Sequence, residues 1–195
     1  MGLLSQAMTI VFAFITRQLF IQYIGMELLG VNSTFTSVLN ALSLSELGFE
    51  SAVVYSLYLP VHDNDIKKIN DIVNILKIIY RCIGIIFIFG SIILLPFLKY
   101  ILVDVKIEES QIYVFFLLQS SASACSYFLT YKRTLLYANQ RGYVSKIMDM
   151  TVSCIFNVVQ CIAILMFHSY SIYLFLKLGQ VLVSNVIVHV YCTHY

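Results

Sequence analysis

The sequence consists of long apolar runs separated by short polar links. The clearest run extends from Ile75 to Ile101, with no charged residue between Arg81 and Lys99. About 20 apolar residues suffice for an α-helix to cross the hydrocarbon layer of a bilayer. There the backbone N–H and C=O groups find no water, so only helices and closed barrels can span it. These runs are continuous and lack the two-residue alternation of barrel strands, so helices are expected. Composition agrees: 60% of residues are hydrophobic and 11% charged, and the mean hydropathy is +0.88. A soluble domain is typically about 45–50% apolar and about 25% charged. The expected fold class is all-α, a polytopic membrane protein.

Six spans are expected, at roughly 3–24, 31–59, 75–101, 111–137, 146–167 and 170–191, forming one six-transmembrane-helix bundle. The first run lacks a basic leader and a cleavage site and carries Arg17, so it reads as a retained helix rather than a signal peptide. The second exceeds the usual length and is expected to tilt, to kink near Gly48 or to extend beyond the membrane. Pro60 is expected to end it. In the link that follows, Ile66, Ile69, Ile72, Val73 and Leu76 recur at helical spacing. They predict an amphipathic lead-in helix at the membrane surface, capped by Asp63 or Asn64 and running into the third span.

Positive charge gathers in two links, one holding Lys67, Lys68, Lys77 and Arg81, the other Lys132, Arg133, Arg141 and Lys146. By the positive-inside rule both face the cytoplasm, which puts both termini there as well. Lys77, Arg81, Lys132 and Arg133 read as a lipid-facing basic cluster. The aromatic-basic stretch from Tyr131 to Arg133 fits a lipid phosphate better than nucleic acid.

A few charges fall inside the spans. Glu46 and Glu50 lie four apart in the second run, on one helical face. A carboxylate at membrane depth costs at least ~2.5 kcal/mol and faces a protein interior or a wet cavity. At 1.5 Å per residue, Arg17 and Lys177 each lie ~10 Å below the external end of their spans, and Glu46 lies ~22 Å below it. Asp149 falls near the cytoplasmic end and is expected to face Lys146. The charges therefore place cations in the outer half and carboxylates from the middle inward. No phosphate-binding glycine loop, metalloprotease motif or paired cysteine motif occurs, and the five Cys are scattered. No metal, organic cofactor or enzymatic activity is expected.

Four passages together resemble the bacterial polysaccharide repeat-unit flippases of the O-antigen and capsule type, in the multidrug/oligosaccharidyl-lipid/polysaccharide exporter superfamily. They are Thr16 to Pro60, most specifically LSLSELGFESAVVYSLY; the spaced Asp65, Lys68, Lys77, Tyr80 and Arg81; Ser126 to Val144, SYFLTYKRTLLYANQRGYV; and the run of spans itself. The resemblance covers essentially the whole chain but only the first of the family's two six-helix bundles. It implies one lobe of a two-lobe transporter that works by alternating access in the bacterial cytoplasmic membrane. The implied substrate is an undecaprenyl-diphosphate-linked oligosaccharide, with Arg17 and Lys177 binding the diphosphate in the cavity. Glu46, with Glu50, would couple transport to H+ or Na+. Half a transporter implies a second six-helix half, as a separate chain or a second copy, or else an interrupted gene product that is inactive alone. The alternatives are half of a multidrug or small-cation exporter, which would favour a carboxylate-lined cavity without deep cations, and a non-transporting truncated membrane protein.

Overall fold

A computed structural model describes the backbone of residues 2–43, 49–102 and 107–194, with side chains over 10–43, 52–102 and 107–192. The described residues form helices and no strands: α1 (Gly2–Tyr23), α2 (Met26–Ser43), α3 (Phe49–His62), α4 (Ile66–Ile101), α5 (Glu109–Thr130), α6 (Arg133–Ala138), α7 (Gly142–Phe167) and α8 (Tyr170–His194). Among them α4, α5, α7 and the Tyr170–Cys192 part of α8 are long and apolar enough to cross a membrane. Their outward surfaces carry exposed Ile, Val and Phe, including Ile86, Phe89, Ile93 and Ile155. Such surfaces suit lipid, which makes the molecule compatible with a multi-pass membrane protein.

Several expected boundaries differ. The second expected span consists of two helices, α2 and α3, with residues 44–48 outside the description. The fourth breaks at Tyr131–Lys132 into α5 and the short α6. The lead-in helix runs on into the third span as expected, the two forming one 36-residue helix. At 1.5 Å per residue that helix is about 54 Å long, well over the ~30 Å hydrocarbon thickness. Its start is capped by Asp65 rather than Asp63 or Asn64, with Asp65 Oδ1 accepting from the Lys68 backbone N–H at 3.2 Å. Pro60 sits inside α3, which continues to His62.

Tight turns make successive helices antiparallel. Gly25, at φ 110, closes α1 by donating its N–H to the Phe20 carbonyl at 3.0 Å, and α2 starts at the next residue. A side chain there would strain the backbone, which is why glycine suits the position. His168, in the left-handed region at φ 50, likewise ends α7 before α8. One end of the bundle therefore holds the α1–α2 and α7–α8 turns, and is called here the first end. The second end holds the α5–α6 and α6–α7 turns.

Helix α8 packs extensively on both α5 and α7, α4 covers the other side of α5, and α1 lies along α7. Near the first end the core is aromatic. Phe35 and Phe116 are fully buried and meet edge to face at 5.3 Å. Tyr170 receives Phe115 at 4.7 Å and Phe20 at 5.6 Å, also edge to face. These geometries match the ring quadrupole and add to the packing.

Candidate functional site: a polar cavity within the bundle

Polar residues recur along the inner faces of four helices towards the second end. On α2 they are Thr36, Asn40 and Ser43; on α5, Gln119, Ser123, Ser126 and Thr130. Helix α7 adds Asp149 and Ser153, and α8 adds Lys177, Gln180, Ser184 and Asn185. The spacings of three, four and seven keep each set on one helical face. Together with Arg133 of α6 they line a cavity of about 550 Å³. That lies within the ~300–1,000 Å³ typical of ligand sites.

On α2 and α5 the hydroxyls tolerate this setting by donating to their own helix. Thr36 Oγ1 bonds the Asn32 carbonyl at 2.8 Å, Ser126 the Ser123 carbonyl at 2.6 Å, and Thr130 the Ser126 carbonyl at 2.6 Å. Such back-bonding satisfies the proton and leaves the oxygen lone pairs facing the cavity. Other polar groups join the helices to each other. Gln119 Nε2 donates to Thr36 Oγ1 at 2.9 Å, Ser43 and Tyr127 share a hydrogen bond at 3.0 Å, and Gln180 links Gln160 to Ser153. Gln119 Oε1 is buried without a partner. Because the two ends of an amide are assigned rather than seen, either orientation leaves one end of Gln119 open.

Two cationic groups reach this cavity and they differ in kind. Lys177 is half-buried, and no carboxylate among the described residues lies within ion-pair reach of it. Arg133 is held by a bidentate pair, with Nη1 to Asp149 Oδ2 at 2.7 Å and Nη2 to Asp149 Oδ1 at 2.8 Å. Ser184 Oγ donates a short hydrogen bond to Asp149 Oδ1, and Arg133 Nη2 reaches the same hydroxyl at 3.4 Å. Helices α6, α7 and α8 are thus tied at one point. The Arg133 side chain is only 16% exposed and Asp149 is 37% exposed.

The sequence-based site residues are distributed as follows. Lys177 lines the cavity. Arg17 is exposed on α1 and does not line it. Glu46 lies outside the described residues, and Glu50 falls in the first turn of α3 with its side chain outside the description. Of the expected lipid-facing cluster, Arg81 is exposed, Lys77 and Lys132 are half-buried, and Arg133 departs from it by turning inward. The physical reason is Asp149, whose carboxylate matches the guanidinium fork. Asp149 correspondingly faces Arg133 rather than the exposed Lys146. The neutral polar stripe is absent from a reading that weighs charges alone. Its signal is the helical recurrence of Ser, Thr, Asn and Gln inside apolar runs. No group of His, Cys, Asp and Glu among the described residues is arranged to hold a metal.

Outside the membrane-spanning segments, Asp65 at the start of α4 has its carboxyl held below the usual range. The main cause is the backbone N–H of Lys68, with the Lys68 ammonium adding to it at 3.0 Å.

Comparison of the chain with family models, with curated proteins and with solved structures returned no match.

Proposed function

We propose that this chain is one six-helix half of a flippase that translocates undecaprenyl-diphosphate-linked oligosaccharide repeat units across the bacterial cytoplasmic membrane for surface polysaccharide synthesis. The observation that carries this reading is Lys177, a cation without a carboxylate partner in a cavity whose polar wall is mostly hydroxyls and amides and whose one lining carboxylate, Asp149, is paired with Arg133, set among helices apolar enough for a bilayer. Neutral hydrogen-bonding walls suit sugar hydroxyls, and an uncompensated cation suits a diphosphate. A cavity made for small organic cations would instead present carboxylates without a free ammonium, which makes the drug-exporter reading the weaker one.

The outer surface of α2 supports a second half. It exposes Gly30, Ser33 and Ser37, a small and polar face, and α2 is not among the helices apolar enough to cross a membrane. A face of that composition suits a wet cleft or another protein better than lipid. In this reading exposed Arg17 looks across the cleft to the other half, the second end is cytoplasmic, and both termini are cytoplasmic. The role of the chain is transport, without covalent chemistry. Glu46 and Glu50, on the segment that follows α2, remain the proposed coupling carboxylates for H+ or Na+.

The test is binding. The purified chain in lipid nanodiscs should bind an undecaprenyl-diphosphate-linked oligosaccharide saturably, bind undecaprenol without saturation, and lose most of its affinity on Lys177→Gln. Displacement by a lipophilic cation such as tetraphenylphosphonium would instead support the exporter reading. In a complete flippase, Arg17→Ala and Glu46→Gln should each reduce glycan export, and unchanged export would remove those two roles.

A further inference from the structure

The tie between Arg133 and Asp149 does more than join helices. A guanidinium has five N–H donors in a planar fork. Both terminal nitrogens of Arg133 are occupied by Asp149, one of them also near Ser184, while Nε is buried with no partner. A buried unsatisfied donor is unfavourable, and a purely structural clamp could have been completed by any nearby carbonyl. The group also sits on the wall of the cavity that Lys177 lines. Lys177 and Ser184 are seven residues apart on α8, so Lys177 and the tie lie roughly 10 Å apart along it. The cavity thus holds one open cation and, two turns away, a second cation neutralised by a carboxylate.

We propose that Arg133 is a masked anion-binding group and Asp149 its mask. The ligand class is a diphosphate, and its identity as a lipid-linked diphosphate rests on the function proposed above. A carboxylate and a phosphate oxygen pair present the same geometry to a guanidinium. An entering diphosphate can therefore take the place of Asp149 on Arg133, and the exchange can give the buried Nε the oxygen partner it lacks. Ser184 keeps the displaced carboxylate solvated by continuing to donate to it. Because the three partners stand on α6, α7 and α8, the exchange also unties those helices from one another. The mask keeps the empty cavity from holding anions tightly, and substrate binding removes the contact that fixes the second end.

The experiment is a calorimetric titration of the chain in phosphatidylcholine nanodiscs with inorganic pyrophosphate. Asp149→Asn removes the charge of the mask and is expected to bind pyrophosphate roughly tenfold tighter than the unsubstituted chain, about the value of one charge-assisted hydrogen bond. Adding Arg133→Gln should abolish that gain. Arg133→Lys with Asp149→Asn should keep only part of it, because an ammonium lacks the fork. A folded Asp149→Asn chain that binds no tighter, or a gain that survives Arg133→Gln, overturns the proposal. If Asp149→Asn does not fold, Ser184→Ala supplies the test: it leaves the ion pair but takes away the donor on which the displaced carboxylate depends, so pyrophosphate is expected to bind severalfold more weakly, and unchanged or tighter binding overturns the proposal. A pyrophosphate gain in Asp149→Asn alongside failure to distinguish the lipid-linked oligosaccharide from undecaprenol supports the mask and refutes the flippase reading. The opposite pattern refutes the mask and leaves the flippase reading standing.

Discussion

The same helices are built differently at their two ends. Towards the first end α5 and α8 contribute Phe115, Phe116, Tyr170 and Tyr173 to a dry aromatic layer with Phe20 and Phe35. A turn further on, Gln119 and Lys177 begin a polar wall that reaches Thr130 and Asn185. Leu174 is buried at the junction. Rings in edge-to-face contact fill space and leave nothing for a ligand to exchange with. Ion pairs and hydrogen bonds have partners that a ligand can replace. The first end is therefore suited to act as a fixed seal and the second end as the part that opens.

That contrast makes graded predictions. Phe116→Ala should be the most damaging, costing about 3–5 kcal/mol, since Phe116 is fully buried and the cavity left behind cannot collapse among rings. Thermal unfolding in detergent would measure it, and a loss below about 1 kcal/mol would mean that the aromatic layer is not the seal. Arg133→Ala should cost less, about 1–3 kcal/mol, because Asp149 is partly exposed and solvent screens the pair. A double-mutant cycle with Asp149→Ala should show that most of the cost is shared by the pair. Tyr170→Phe removes only the hydrogen bond from its hydroxyl to Asn32 Oδ1 at 3.2 Å and keeps the ring stack, so about 1 kcal/mol is expected.

The smallest effect is at Asp65, where α4 begins. Its folded carboxyl lies below its ordinary 3.8, so its stabilisation is complete above that value and is lost as pH falls through the lower folded value. Asp65→Asn should flatten the acid limb of the unfolding curve and leave stability at neutral pH nearly unchanged, because asparagine also caps.

Much of this layout was legible in the sequence, for reasons that particular residues make plain. The α7–α8 turn falls where expected because the apolar run stops at Phe167 and resumes at Tyr170. Lys177 was visible because a cation inside an apolar run is rare enough to need a partner or a cavity. The break after Thr130 was not visible: Tyr131 and Lys132 keep right-handed helical angles, and no Gly or Pro marks the turn. The cap of α4 was ambiguous because Asp63, Asn64 and Asp65 are all competent caps, and only the backbone decides among them. The Arg133–Asp149 pair crosses from α6 to α7, so its existence depends on how the helices dock rather than on any local spacing. Arg133 looked like a surface charge because its neighbours Lys132 and Arg141 belong to a basic link.

The central claim is that a wet, polar cavity stops at a dry aromatic layer. Thiol labelling tests it most directly, in a background where the five native cysteines, Cys82, Cys125, Cys154, Cys161 and Cys192, are replaced by serine or alanine. In sealed vesicles, a charged, membrane-impermeant maleimide should label Ser123→Cys and Ser126→Cys from one side only, with pyrophosphate slowing the reaction. Phe116→Cys should resist the reagent from both sides. Equal labelling of Phe116→Cys and Ser126→Cys, or no labelling at either cavity position, would contradict the account.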